Sequence, residues 1–309
     1  MSNFKIYYLG VGSATPSKLH QPSCQVVDFR GRLFVIDRGE GAQLSMRKMH
    51  IKFSRIEHIL ISHLHGDHFF GLPGLLSTLA LHDIGGALTV HIPRQGVEWL
   101  RQTMDLFCRQ RSFDLRIEPI DPEGGLLIDE GQLKVTAFPL THRVPCTGFK
   151  FECAPGLRRL RKDMLEWLDI PVSRRHAIKE GADFTTDDGR FFENSRLTEP
   201  GTPPSSYAYC SDTAFNLDNA RYVAPVDTLY HEATYLADNE AKAADRFHST
   251  AAQAVRFAVE AKARRLVIGH YSKSYPDTEG HLREAVEEAA RLGADIEIIA
   301  ANEGLVLDA

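Results

Sequence analysis

The chain has 309 residues, a net charge of −5, 43% hydrophobic and 25% charged residues. That length supports a large core and one or two domains, and no stretch approaches the roughly 20 apolar residues that a membrane span requires. The acidic balance argues against a general nucleic-acid coat, so any RNA contact must come from local patches. Cys24, Cys108, Cys146, Cys153 and Cys210 are odd in number and contain no CxxC pair. They argue against a disulfide scaffold or a cysteine zinc site and suit a reducing cytoplasm. Met1-Ser2-Asn3-Phe4-Lys5 runs straight into a strand-like segment, so no secretory signal is expected.

The first third alternates short elements. Strands are predicted over 4–9, 24–29, 33–37, 56–62 and 88–92, and helices over 42–49, 69–81 and 97–109. Strands over 115–120, 134–139 and 148–152 follow. The segment 153–204 breaks the rhythm. It predicts a helix over 157–168, a second over 174–180, a polar hairpin around Asp187-Asp188-Gly189, and a linker-like run Glu199-Pro200-Gly201-Thr202-Pro203-Pro204. Strands then return over 206–210, 228–231, 266–269, 295–300 and 304–307, with helices over 217–221, 250–263 and 279–292. The expectation is one α/β domain over 1–309, two β-rich sheets flanked by helices, interrupted by an inserted module at 153–204.

His63-Leu64-His65-Gly66-Asp67-His68 lies directly after a predicted strand, where α/β proteins display reactive groups. Imidazole nitrogens and carboxylate oxygens suit zinc, and Gly66 gives a crowded loop its backbone freedom. Six residues cannot close two tetrahedral sites, so partners must lie downstream. His142, Asp212 and His270 each follow a predicted strand. The ligand count then closes for two zinc ions: His63, His65 and His142 on one, Asp67, His68 and His270 on the other, with Asp212 shared.

These residues resemble the metallo-β-lactamase fold, an αββα four-layer sandwich, and within it the ribonuclease Z family, which trims the 3′ trailer from precursor tRNA. The resemblance rests on Leu9-Gly10-Val11-Gly12-Ser13-Ala14-Thr15-Pro16, Ile36-Asp37-Arg38-Gly39-Glu40-Gly41, the His63–His68 motif with Gly71-Leu72-Pro73-Gly74, His231-Glu232-Ala233-Thr234, and His248-Ser249-Thr250. It implies the same seven metal ligands, Asp67 as proton acceptor for the attacking water, a homodimer, and an inserted arm that clamps RNA. Arg38 stands where the family usually has Cys, and Ser274 where it usually has a phosphate-holding Arg; Lys273 is the substitute expected there, without the planar guanidinium fork.

His248 is the expected general acid for the leaving 3′ oxygen, with Glu232 holding its other ring nitrogen. Ser249 or Thr250 is expected to cap the following helix. Arg158, Arg159, Arg161, Lys162, Arg174 and Arg175 on the arm, with Lys273, are the expected RNA contacts. Two rival readings are another binuclear zinc hydrolase of this fold, such as a small phosphodiesterase, lactonase or arylsulfatase-like enzyme, and a non-catalytic RNA-binding member.

Overall fold

The computed structural model describes residues 4–309; residues 1–3, the start of the expected domain, lie outside the described residues. Two seven-stranded sheets dominate. The first runs in the order Val306–Asp308, Phe4–Gly10, Cys24–Phe29, Arg32–Ile36, Ile56–Leu60, Gly86–Pro93, Phe113–Ile120. It is antiparallel as far as Arg32–Ile36 and parallel beyond. The second runs Glu297–Ala300, Ala263–Gly269, Val226–Glu232, Ser205–Cys210, Cys146–Cys153, Leu133–Leu140, Gly125–Asp129.

Both central regions are rich in β-branched and aromatic residues and are buried on two faces, as sheets covered on both sides require. The sheets face each other through Phe34 against Phe151 and Tyr8 against Tyr230, with Tyr207 hydroxyl bonded to Gln25. Helices Leu72–Leu81 and Val97–Phe107 cover the outer face of the first sheet through Leu72, Leu75, Leu76, Leu79, Leu100 and Met104. Helices Ala251–Glu260 and Glu279–Leu292 pack on the second. The result is the expected αββα sandwich. Among the described residues no helix is long and apolar enough to cross a membrane.

The chain separates into two compact units. One holds the chain up to Ile128, then Val135–Phe151 and Ser206–Ala309; the other holds Asp129–Lys134 and Glu152–Ser205. The second unit has its own small core of Leu168, Ile170, Ile178, Phe184, Phe192 and Leu197. The helix expected over 157–168 is shorter here. Arg159–Leu160 is extended and pairs with Thr198–Glu199, and only Lys162–Trp167 is helical. Cross-strand pairing overrides helix propensity at Arg159 and Leu160, and it places strand Thr198–Glu199 inside what reads as a linker.

The helix expected over 69–81 is also divided, into Gly66–Phe69 and Leu72–Leu81. The break falls at Gly71, whose N–H donates to the Arg38 carbonyl at 2.8 Å and where a Cβ would stand 2.2 Å from the Gly39 carbonyl oxygen. This close approach ties the His63–His68 loop to the loop after strand Arg32–Ile36.

Candidate metal centre

Strand register sets the site. The parallel strands align Cys210 with His231 and His231 with Ile268. Asp212, Glu232 and His270 therefore emerge at one edge of the second sheet. The loop after Ile56–Leu60 brings His63, His65, Asp67 and His68 to the same place, and the loop after Leu133–Leu140 brings His142.

Two clusters result. In the first, His65 Nδ1 lies 3.0 Å from His63 Nε2 and 3.2 Å from His142 Nε2, and Asp212 Oδ2 lies 3.7 and 3.9 Å from those two Nε2 atoms. In the second, His270 Nε2 lies 3.2 Å from His68 Nε2, 3.1 Å from Asp212 Oδ1 and 3.5 Å from Asp67 Oδ2. Asp212 thus offers one oxygen to each cluster.

Outer hydrogen bonds fix which ring nitrogen faces inward. His68 Nδ1 donates to Asp37 Oδ2 at 2.7 Å, His142 Nδ1 to the Phe247 carbonyl at 3.0 Å, and His270 Nδ1 to Thr234 Oγ1 at 2.9 Å. Ser62 Oγ donates to Asp37 and accepts from His63 Nδ1 at 3.0 Å. Each inner nitrogen is left to ligate, the arrangement that orients metal-binding histidines. Asp37 and His270 hold left-handed backbone conformations, with φ of 55° and 63°, a strain characteristic of functional sites.

The residues fit a metal pair. Asp212 Oδ1 is buried and has no hydrogen-bond partner, despite two imidazole nitrogens within 3.3 Å. Tetrahedral ligands at 2.0–2.1 Å from zinc stand about 3.3–3.4 Å apart, close to the spacing in both clusters. Electrostatics agrees. Burial pulls the His63, His65 and His142 imidazoles below the ordinary histidine range, toward the neutral form a metal requires. Burial also works against charge on His68, but Asp212, Asp67 and Asp37 overcome it and hold that ring protonated. A proton there occupies the place a cation would take among these carboxylates.

Asp67 Oδ2 accepts the Ala14 N–H at 2.6 Å. Burial opposes its charge, but His68 and His270 keep its carboxyl well below the usual carboxylate range. Glu232 is fully buried and saturated. It accepts from Thr213 N–H and Thr234 N–H, both at 3.0 Å, from Thr234 hydroxyl at 2.6 Å and from His248 Nδ1 at 2.7 Å. It is therefore spoken for as an acceptor, although it stands close to His248 and His270. Thr250, rather than Ser249, caps the next helix through a capping box with Gln253, which fixes where His248 sits.

Sequence reading passed over Asp37 as an individual residue. Its carboxylate accepts from Ser62 N–H at 2.7 Å, Ser62 hydroxyl at 2.8 Å, and His68 and Tyr209 at 2.7 Å each. Asp37→Ala is expected to lose about 3–5 kcal/mol of stability, because buried donors lose their shared acceptor, and about 10–100-fold in metal affinity. Urea unfolding and a metal titration read the two effects; unchanged values in both would show that Asp37 merely fills space.

A cleft of about 530 Å³ opens over the centre, lined by His65, Asp67, Asp212, His248 and His270. Lys273 lines it too, with Arg143, Lys242 and Arg246, three cations that sequence reading did not select. Arg38 is buried away from solvent, with Nη1 donating to the Gly39 carbonyl and Nε unpaired.

The other six expected RNA contacts lie in the second unit. There Arg158 donates to Thr198 hydroxyl and Arg175 to the Ile170 carbonyl, while Arg161 pairs with Asp163 and Arg159 with Glu199. Lys162 and Arg174 are exposed. The excess of positive charge is confined to 158–180, since over 153–204 nine basic residues face nine acidic ones.

Two facing sheets with a His/Asp centre on their edge loops define a hydrolase of the metallo-β-lactamase fold. A family model described as "Anti-Pycsar protein Apyc1" matches residues 4–106, about the first third of the chain. Among solved structures, human tRNase Z, short form, is 25% identical with a TM-score of 0.68 and 98% of each chain covered. A metallo-β-lactamase fold protein of Bacillus subtilis has the same TM-score at 16% identity, with 99% of each chain covered. Ribonuclease Z of Parabacteroides distasonis is 45% identical over 286 residues, 92% of this chain and 94% of that one. Ribonuclease Z of Porphyromonas gingivalis strain W83 is 46% identical over 287 residues, with the same coverage. The chain belongs to the ribonuclease Z family.

Proposed function

We infer that this chain is a metal-dependent endoribonuclease that removes the 3′ trailer from precursor tRNA by hydrolysis, leaving a 3′-hydroxyl on the tRNA. Family membership supports the reaction. The single observation that carries the reading into chemistry is Asp212, with one oxygen turned to each of two ligand clusters, next to the His248–Glu232 pair.

In this reading the metal is zinc, two ions per subunit, favoured by the nitrogen-rich donor set. His63, His65 and His142 would hold one ion and Asp67, His68 and His270 the other, with Asp212 serving both. When bound, the pair supplies Lewis acidity, acidifying water and offsetting charge on the phosphoryl oxygens. Asp67, kept anionic and pinned by the Ala14 N–H, orients the attacking water and accepts its proton. His248 gives a proton to the leaving 3′ oxygen. Burial disfavours its charged form, but the Glu232 carboxylate, by charge and hydrogen bond, lifts its pKa to about 9, so the ring carries that proton at neutral pH.

The module at 153–204 serves as a tRNA-binding exosite, with Arg158, Arg159, Arg161, Lys162, Arg174 and Arg175 as contacts and Lys273 at the cleft. The family resemblance and the exposure of Lys162 and Arg174 support this. The same resemblance supports a homodimer, and five free thiols suit a reducing cytoplasm.

The test is incubation with a precursor tRNA carrying a 3′ trailer. A single cut after the discriminator nucleotide is expected. Chelation should abolish it, and zinc should restore it at about two ions per chain. Stepwise shortening of the trailer would instead make the protein an exonuclease, and cleavage undiminished after deletion of 155–200 would remove the arm from recognition.

A further inference from the structure

The cations of the cleft are not evenly placed. Lys273 belongs to the side of Ser13, Ala14 and Asp67, because its loop is tied to Ser13 through the Tyr271 carbonyl. Arg143, Lys242 and Arg246 gather on the side of His142 and His248. Arg143 directly follows His142. Lys242 and Arg246 are one turn apart on helix Glu240–Arg246, hence on one face, and that helix leads into His248 within two residues. Lys242 Nζ sits 5.2 Å over the Tyr235 ring, which in turn lies 6.2 Å from the His248 ring.

Arg246 forms an ion pair with its exposed chain neighbour Asp245, at 3.5 Å, a contact worth little in water. All three side chains are exposed. On a chain of net charge −5, a polyanion needs such a local cationic surface to approach.

We propose that Arg143, Lys242 and Arg246 form a phosphate-binding subsite that holds RNA backbone phosphates on the 5′ side of the scissile bond, the side of the mature tRNA end. This rests on the endonuclease reading above. Hydrolysis that leaves a 3′-hydroxyl on the tRNA expels the 3′ oxygen of the last mature nucleotide, and His248 protonates that oxygen. The cations grouped with His248 therefore meet phosphates of the strand that leaves, whereas Lys273, grouped with Asp67, lies toward the attacking side.

Phosphate neutralisation tests this. Precursor tRNAs are made with a single uncharged methylphosphonate at one of the linkages just 5′ or just 3′ of the cut. Cleavage and fluorescence-anisotropy binding are then measured for wild type and for the double variant Lys242→Ala, Arg246→Ala. The double variant should bind the all-phosphate RNA about tenfold or more weakly, with a shallower dependence on salt by about one to two phosphate contacts. A neutral 5′ linkage should weaken wild type about tenfold and the double variant hardly at all. Neutral 3′ linkages should cost both proteins equally, and Lys242→Arg should behave as wild type. A 5′ neutral linkage that costs the double variant as much as wild type, or an insensitivity that falls on the 3′ linkages, overturns the subsite. If wild type cuts no precursor, the endonuclease reading fails by itself, and the binding measurements with the same RNAs still decide the subsite.

Discussion

Asp212→Ala should lower precursor-tRNA cleavage by about 10³-fold or more, the scale of losing several kcal/mol of metal-derived charge stabilisation. The reason is topological. Among the described residues, Asp212 is the one common to both clusters, with Oδ2 on the His63 side and Oδ1 on the His68 side. Removing it takes a candidate donor from each cluster at once. Metal analysis of the purified variant should show less than the wild-type complement. Asp212→Asn separates the effects: it keeps the volume and one oxygen, and loses the charge and the second anionic oxygen. A variant with full metal content and wild-type kcat would remove Asp212 from the centre.

His248→Ala should reduce kcat by about 10²–10⁴-fold, the usual worth of a positioned proton donor. The pH profile distinguishes this from a packing defect. A general acid works in its protonated form, so activity should hold below the pKa of His248, about 9, and fall as pH rises through it. Glu232→Gln removes the charge that raises the pKa, while burial continues to lower it. The descending limb should therefore move to lower pH, toward the ordinary histidine range. His248→Ala should lose that limb altogether. If the limb persists unchanged in His248→Ala, another group donates the proton.

Much of the centre was legible because its residues are local. Four candidate donors within His63–His68 need only one tight loop after a buried strand, whereas Glu232 and His248-Ser249-Thr250 stood out through the family resemblance. His142, Asp212 and His270 were readable as residues just past strand ends, since a strand end fixes roughly where the next side chain emerges. Most strands of the two sheets and most of their helices followed from periodicity, which local sequence sets directly, whereas strand Gly125–Asp129 and helix Glu240–Arg246 were not read.

What the sequence by itself determined, then, was most of the strand and helix rhythm of the sandwich, together with a set of candidate donors that the fold brings to one place. Tertiary structure alone decided the rest. Pairing with Thr198–Glu199 turned Arg159–Leu160 from helix to strand, because the partner lies some forty residues away. Asp37 became the anchor of His68 only when its strand end met Ser62 and Tyr209. Lys242 and Arg246 drew no attention in the sequence; helix Glu240–Arg246 and the fold bring them to the cleft. The physical reason is common to all three. Ionic and hydrogen-bonding side chains take their meaning from partners distant in sequence, whereas backbone rhythm is set by neighbours.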